Sequence, residues 1–236
     1  MKKFLITVRD LLFPANFTCD ICGRETFGTN ICEECAKTLK FNDKEVCPVC
    51  GRRTVRPEIC VECKAQPPGF DGAVSPFIYG GGAALLIKKF KGGDGYLKDY
   101  FADEILKKPN DFKRYDCIVC VPMTGRAKKK RGYNQSELLA KALSERCGVP
   151  YLKDAVEKRK DTGEQKELSR KERGKNLKGC FKVVKKKEVK GKRVLVADDV
   201  LTTGATADEM ARALKKAGAA EVRIVTVASV EYKVFK

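Results

Sequence analysis

The chain has 236 residues, 43% of them hydrophobic and 34% charged, and it contains no histidine. Its 49 basic and 31 acidic residues leave a formal net charge of +18. A chain of this length suits one α/β domain with a small additional module. No segment approaches the run of about 18 apolar residues that a membrane helix requires, which argues against membrane insertion. The apolar run at the N-terminus is too short for a signal peptide, so we expect a cytoplasmic protein.

The positive charge has two interpretations. Surfaces rich in lysine and glutamate are typical of heat-adapted proteins, in which the charges are simply solvated. An excess of positive charge also favours polyanionic partners, either nucleic acid or phosphorylated metabolites. The first 70 residues contain 11 basic and 9 acidic residues, so almost all of the excess lies in the rest of the chain.

Four C-x-x-C pairs lie in the first part of the chain. Each pair lets two thiolates of one turn bind the same ion, and two pairs complete a tetrahedral zinc site with no open position for a substrate. The equal gaps within each half favour two sequential structural sites over a cross-braced pairing, and redox-active pairs or disulfides are the further alternative. The predicted zinc ligands are Cys19, Cys22, Cys32 and Cys35 for one site and Cys47, Cys50, Cys60 and Cys63 for the other.

A segment with two prolines and two glycines, AQPPGFDG at 65–72, predicts a domain boundary. We therefore expect an N-terminal helix and double zinc-ribbon module over residues 1–68 and a larger domain over 69–236. The sequence CIVC at 117–120 has the spacing of a further metal pair, but in a strand residues i and i+3 point to opposite faces. The remaining cysteines are predicted to be small core residues: Cys117, Cys120, Cys147 and Cys180.

Strands and helices alternate in the predicted larger domain. Near-continuous apolar strands in this order predict a parallel sheet covered on both faces, with ligands bound at the carboxyl ends of the strands. The predicted strands are 115–123, 193–199 and 221–229. The predicted helices are 97–107, with Leu97, Phe101 and Ile105 on one face, a helix capped by Ser136 that ends near Gly148, and 205–218.

The stretch VLVADDVLTTGAT at 194–206 joins an apolar strand to a helix through two acids and a threonine-glycine loop. Loop amides and a helix N-terminus favour a phosphate, while Asp198 and Asp199 are suited to accept hydrogen bonds from vicinal hydroxyls. This combination predicts a phosphorylated sugar as ligand. The alternative is ordinary turn chemistry, with Thr203 or Thr206 as a plain helix N-cap.

The same stretch resembles the phosphoribosyl pyrophosphate (PRPP) motif of type I phosphoribosyltransferases. With the cysteine pairs, LIKKFKGG at 86–93, RGYNQSELLAKAL at 131–143 and the spaced polar residues of 159–183, the whole chain resembles the ComF family. That family is associated with competence and DNA uptake. The resemblance implies a parallel-sheet α/β fold of the type I phosphoribosyltransferase kind with a small N-terminal zinc-ribbon module.

The resemblance also implies roles for individual residues. Asp198 and Asp199 contact the ribose hydroxyls, the loop at 122–126 is the pyrophosphate loop, and Mg²⁺ binds with PRPP. The tract 126–135 is expected to be a mobile basic loop that closes over the pyrophosphate, with a solvated basic turn as the alternative. The catalytic residues are then Asp198, Asp199 and Arg131, and the phosphate-binding residues are Lys128, Lys129, Lys130, Thr202, Thr203, Gly204, Ala205 and Thr206.

Two functions remain open at this point. The first is a non-catalytic DNA-uptake factor that keeps a ribose-phosphate pocket. Its basic zones at 126–131 and 158–193 would bind single-stranded DNA, with Tyr133 and Phe181 stacking on bases. A competence helicase is a further partner that the resemblance suggests. The second is an active phosphoribosyltransferase with an unknown acceptor, in which the basic surface is only solvated.

Overall fold

The structure is a computed structural model that describes residues 18–26, 29–159 and 177–231. The helices of these residues are α1 (Glu33–Ala36), α2 (Val61–Ala65), α3 (Gly81–Gly92), α4 (Leu97–Leu106), α5 (Gly125–Arg131), α6 (Gln135–Cys147), α7 (Lys186–Val189) and α8 (Ala205–Lys216). The strands are β1 (Gly72–Val74), β2 (Phe77–Ile78), β3 (Cys117–Cys120), β4 (Val156–Lys158), β5 (Phe181–Val183), β6 (Arg193–Leu201) and β7 (Glu221–Ser229).

The larger sheet is parallel throughout and has the strand order β1-β7-β6-β3, with β2 pairing to the end of β7. Strands β4 and β5 form a separate antiparallel pair. The parallel α/β sheet is the predicted fold class, which is confirmed. Because Cys120 of β3 lies opposite Ala197 of β6, the loop after β3 and the acids of β6 meet at one edge of the sheet.

Apolar side chains cover both faces of the sheet. On one face α3, α4 and α6 pack against the strands, with Leu97, Phe101 and Ile105 of α4 fully buried as the helical spacing predicts. The other face is covered by α8 and the β4–β5 pair, and the cysteines of residues 47–63 belong to the same buried cluster. The second cysteine group is thus part of the main core.

Helix α6 begins two residues earlier than a cap at Ser136 predicts, and its cap is a different residue. The Asn134 side chain accepts a hydrogen bond from the Ser136 amide at 3.1 Å, so Asn134 is the N-cap. The predicted cap at Ser136 is wrong, because Ser136 is the second residue of the helix. Its side chain contacts Asp198 of β6 instead. The predicted end at Gly148 is confirmed, since this glycine has the left-handed conformation at the C-cap.

The four cysteines outside the C-x-x-C pairs of the zinc module pack with apolar groups. Cys117 and Cys180 are buried, while Cys120 and Cys147 are half-buried and pack against the core. Burial raises the pKa of Cys120 to about 11, so its thiol is neutral at physiological pH. Among the described residues, neither potential metal cluster includes any of the four.

Candidate functional site

Two adjacent carboxylates near the end of β6 are contacted by residues of two other segments. Ser136 Oγ donates to Asp198 Oδ1 at 2.9 Å, and the Asp199 amide donates to the same oxygen at 2.9 Å. Gln135 Nε2 donates to Asp199 Oδ2 at 3.1 Å, and Lys91 Nζ lies 2.8 Å from that oxygen. Helices α3 and α6 therefore meet at the acid pair.

The surroundings of the acid pair disfavour the ionised form of Asp198. Burial raises the pKa of Asp198 from its ordinary value of 3.8 to about 7, and the charge of Asp199 acts in the same direction. Hydrogen bonds from the Asp199 amide and Ser136, together with the charge of Lys91, oppose the shift without cancelling it. A cation or hydrogen-bond donors of a ligand would stabilise the ionised form. Carboxylate oxygens are the ligands that Mg²⁺ prefers, so the pair fits the Mg²⁺ that the resemblance implies.

The loop after β6 leads directly into α8. Gly204 is the N-cap, with φ 79°, and as a glycine it has no side chain that could cap the first turn. Thr203 Oγ1 accepts a hydrogen bond from the Ala205 amide at 3.4 Å, and Thr206 already lies within the helix. The plain N-cap alternative for Thr203 or Thr206 is therefore wrong. A helix N-terminus with a glycine as N-cap is a favourable place for an anion.

The basic tract at 126–135 begins as a helix and not as the mobile loop that its resemblance to phosphoribosyltransferases predicts. The Thr124 side chain accepts from the Ala127 amide at 3.3 Å and caps α5, which ends at Gly132 with φ 89°. Lys128 Nζ lies 3.2 Å from Glu137, so its nearest acidic partner belongs to α6. The cation that contacts the acid pair is Lys91. The other predicted phosphate-binding or catalytic cations of the tract are exposed on α5: Lys129, Lys130 and Arg131.

A cavity of about 360 Å³ opens at the end of β3, beside the predicted pyrophosphate loop. Pro122, Met123 and Gly125 of that loop line one side. Lys158 and Arg159, at the end of β4, also line it. The acidic side chains of Glu137, Asp154 and Glu157 line the same cavity, so its charge does not by itself favour an anion. The pyrophosphate role of the loop stays a prediction. Of the second basic zone, residues 160–176 lie outside the described residues.

The eight cysteines of the C-x-x-C pairs form two groups of four. In each group the sulfur atoms all lie within 4.8 Å of one another, as a tetrahedral zinc site requires. The groups are sequential, so the cross-braced alternative is wrong. We call residues 19–35 ribbon 1 and residues 47–63 ribbon 2. The thiol sets of both ribbons fit structural zinc.

A second cavity, of about 700 Å³, lies between ribbon 2 and the loop that follows β6. Cys50 and Arg52 line it from the ribbon, and Thr203, Gly204 and Ala205 line it from the loop. The acids of β6 are not among its lining residues. One side of the predicted phosphate loop therefore faces the zinc module.

Two domain families match the chain: a phosphoribosyl transferase domain over residues 129–233 and a double zinc ribbon domain over residues 8–64. Competence protein F of Haemophilus influenzae is 34% identical over 167 residues, which are 67% of this chain and 73% of that protein. The chain belongs to the ComF family. DNA utilization protein YhgH of Escherichia coli is 38% identical over 109 residues, 46% of this chain and 47% of that protein. Competence protein ComFC of Streptococcus pneumoniae is 32% identical over 149 residues, 62% of this chain and 63% of that protein.

ComF membership agrees with the architecture, a phosphoribosyltransferase-type α/β domain with an N-terminal zinc-ribbon module. The purine phosphoribosyltransferase structure from Pyrococcus horikoshii has a TM-score of 0.36 at 19% identity, covering 60% of this chain and 94% of that chain. That loose likeness adds nothing to the family match. Among the described residues, no helix has the length and apolar character needed to cross a membrane.

Three residues around the acid pair were not predicted as site residues: Lys91, Gln135 and Ser136. Each lies in a segment whose likeness to the ComF family is visible in the sequence, at 86–93 or 131–143. The signal was therefore present, but only the packing of α3 and α6 shows which side chains reach β6.

Proposed function

We propose that this ComF-family chain binds PRPP, or a related ribose phosphate, together with Mg²⁺ at the β6–α8 segment. The observation that carries the proposal is the acid pair. Asp198 and Asp199 are adjacent, Asp198 has a raised pKa, and both are held by side chains from α3 and α6. Such a pair, followed after a short threonine-glycine loop by a helix N-terminus with glycine as N-cap, suits a ligand with hydroxyls at one end and a phosphate at the other.

Each group then has a defined task. Asp198 and Asp199 accept hydrogen bonds from the ribose hydroxyls, while the amides and hydroxyls of residues 202–206 donate to the 5′-phosphate. Gln135 and Ser136 fix the orientation of the two carboxylates. Mg²⁺, held through the acid pair, would neutralise charge on the pyrophosphate. Arg131 and the lysines of α5 would supply further positive charge at that end.

The test is isothermal titration calorimetry of the full chain with PRPP, with and without Mg²⁺. We expect saturable one-site binding in the presence of Mg²⁺ and weaker binding without it. Ribose 5-phosphate, which lacks the pyrophosphate, should bind at the same site with lower affinity. Absence of heat with PRPP under both conditions contradicts the proposal.

Turnover is the second candidate function. A pyrophosphate-release assay with nucleobases and amines as acceptors separates it from binding alone. Release that depends on an acceptor shows a phosphoribosyltransferase, whereas binding without release supports a factor that only holds the ligand. An enzyme and a factor that only binds the ligand would both hold the pyrophosphate by charge and orientation.

Single-stranded DNA is the proposed macromolecular partner. The proposal is supported by the names of two relatives, a competence protein and a DNA utilization protein. The exposed cations of α5 offer a row of phosphate contacts. The expected stacking role of Phe181 is wrong, because β5 buries this side chain in the core. Tyr133 is half-buried, and its hydroxyl donates to the Phe90 carbonyl. We therefore propose that contacts with the DNA phosphates, and not stacking on the bases, supply most of the binding free energy. A cytoplasmic location and a helicase partner are further parts of the proposal.

Fluorescence anisotropy with a labelled oligothymidylate across a salt series tests the DNA proposal. Changing Lys129, Lys130 and Arg131 to serine should weaken binding and reduce the slope of log K against log salt by about 2, at about 0.7 for each lost phosphate contact. The control variant changes three exposed lysines of the zinc module to serine, Lys40, Lys44 and Lys64, and should keep the wild-type slope. Equal losses in both variants would indicate a general charge effect and contradict a defined surface.

A further inference from the structure

Ribbons 1 and 2 are copies of one short pattern. In both, the first C-x-x-C is followed by Gly-Arg, and the second has the form C-x-E-C. In both, the sulfur atoms of the second and third cysteines are 3.8 Å apart, between Cys22 and Cys32 in ribbon 1 and between Cys50 and Cys60 in ribbon 2. The two thiol sets therefore start from the same local geometry.

The surroundings of the two sets differ. All four cysteines of ribbon 2 are buried, none with more than 4% of its surface exposed. In ribbon 1, Cys22 is exposed and Cys32 is half-buried. Since a reagent must reach the sulfur atom, this difference decides which thiols react.

The arginines and glycines of the repeat show why ribbon 2 is closed. Arg52 is buried, and its guanidinium donates to Cys50 Sγ at 3.4 Å and to Glu62 Oε2 at 2.5 Å. Arg24, at the same position of ribbon 1, is exposed. A Cβ on Gly51 would come within 2.3 Å of the Ala73 carbonyl oxygen of β1, whereas a Cβ on Gly23 would meet nothing within 4 Å. Ribbon 2 packs against the sheet at its Gly-Arg turn, whereas the Gly-Arg turn of ribbon 1 faces solvent.

We propose that the two zinc sites have different chemical roles. Ribbon 2 is a permanent structural site, and ribbon 1 is a peroxide-reactive thiol site that releases its zinc when Cys22 and Cys32 are oxidised to a disulfide. Ribbon 1 thus binds zinc while its thiols are reduced, and the compound that oxidises them is a peroxide.

The reaction balances as follows. The Cys22 thiolate attacks one oxygen of hydrogen peroxide, forms a sulfenic acid and releases hydroxide. The Cys32 thiolate then attacks the Cys22 sulfur, forms the disulfide and releases a second hydroxide. The two sulfur atoms lose two electrons, which reduce the peroxide. Zinc leaves because only two thiolates of the site remain.

Ribbon 1 also supports the segment that carries Lys91. The Tyr96 hydroxyl donates to Asp20 Oδ1 of ribbon 1 at 2.5 Å. At the start of α3, a Cβ on Gly82 would approach Ile21 Cδ1 of ribbon 1 to 2.8 Å and Thr38 Oγ1 to 2.6 Å. Oxidation of ribbon 1 should therefore loosen residues 80–97, which hydrogen exchange detects, while α8 on the other face keeps its protection.

The test treats the zinc-loaded full chain with hydrogen peroxide in the presence of a chromogenic zinc chelator. One zinc per chain should be released at least about tenfold faster than the other. Peptide mass spectrometry after the first phase should find the disulfide between Cys22 and Cys32. Release of both ions at one rate, or a disulfide between Cys50 and Cys60 in the first phase, overturns the proposal.

The two glycines provide a matched pair of variants. Both have positive φ, 74° at Gly23 and 64° at Gly51, so alanine causes similar local strain at either site. Gly51→Ala should bring the second zinc into the fast phase, because the contact with β1 is lost, and Gly23→Ala should leave the slow phase unchanged. If Gly51→Ala does not fold, Arg52→Gln should accelerate the second release. An unchanged slow phase in Arg52→Gln contradicts the role given to burial.

Discussion

Asp198→Asn abolishes the binding of PRPP with Mg²⁺ and, at the same time, stabilises the protein without ligand: this is the first expected result. The loss of binding should be at least about 100-fold, the size expected when charge-assisted hydrogen bonds and a metal contact are removed together. The gain in stability arises because folding places an ionised Asp198 beside Asp199 in a partly buried position, which raises the pKa of Asp198 to about 7. Asparagine keeps the acceptor oxygen for Ser136 and the Asp199 amide, but it carries no charge.

The stability effect depends on pH, and its direction follows from the raised pKa. The ordinary value is 3.8 and the folded value is about 7, so the folded chain holds a proton that the unfolded chain has lost between these two values. The contribution of Asp198 to stability is fully present below about pH 4 and is lost as the pH rises through 7. Thermal denaturation should therefore show Asp198→Asn about 3 °C or more above the wild type at pH 8. The difference should shrink as the pH falls to 5.

Asp199→Asn is the matched control, since it makes the same chemical change one residue away. It should also lose PRPP binding, but it removes the 2.8 Å ion pair with Lys91 and so should not stabilise the protein. The two variants together separate a functional carboxylate from a general effect of charge on the fold. Retained binding in both, or a lower Tm for Asp198→Asn at pH 8, contradicts this account of the site.

The sequence placed the acid pair and the predicted phosphate loop together because both lie in one short stretch. It did not predict that Lys91 and Gln135 contact Asp199, since these residues lie more than 60 positions away in sequence and reach β6 only through helix packing. Ser136 shows the same limit. Ser136 alone was predicted as the N-cap, but its side chain contacts Asp198, and Asn134 caps the helix instead.

Other differences have local causes that the sequence contained. Phe181 and Val183 are buried while Lys182 between them is exposed, which is the alternation of a strand with one buried face. That pattern argued against Phe181 as an exposed stacking group. The basic tract of α5 has good helix formers between Thr124 as N-cap and Gly132 as C-cap, so a helix is the natural result. The unequal burial of the two ribbons was not predictable, because their repeats are nearly the same and tertiary contacts, such as that of Gly51 with β1, separate them.

Cys60→Ser should lower the stability of the whole protein, whereas Cys32→Ser at the equivalent position of ribbon 1 should affect mainly ribbon 1 and the residues 80–97 that it contacts. The sulfurs of ribbon 2 belong to the same buried cluster as Phe70, Ala73 and the α8 face of the sheet. Buried Asn42 adds polar links, since its Nδ2 donates to the Gly51 carbonyl at 2.8 Å and lies 3.3 Å from Ser229 Oγ at the end of β7.

The expected sizes follow from the coupling of zinc binding to folding. Structural zinc contributes on the order of 10 kcal/mol in small zinc domains, so loss of one ligand from a site within the core should lower the Tm by about 10 °C or more. Both variants should bind one zinc fewer, and Cys147→Ser, outside either site, should bind the full complement.

Hydrogen exchange then shows which elements are destabilised: α8 and β7 should lose protection in Cys60→Ser and keep it in Cys32→Ser. Equal Tm losses in both, or intact protection of α8 in Cys60→Ser, would contradict the placement of ribbon 2 in the common core. Ribbon 2 is then part of the phosphoribosyltransferase-type domain, because its Cys50 and Arg52 line the cavity beside the predicted phosphate loop.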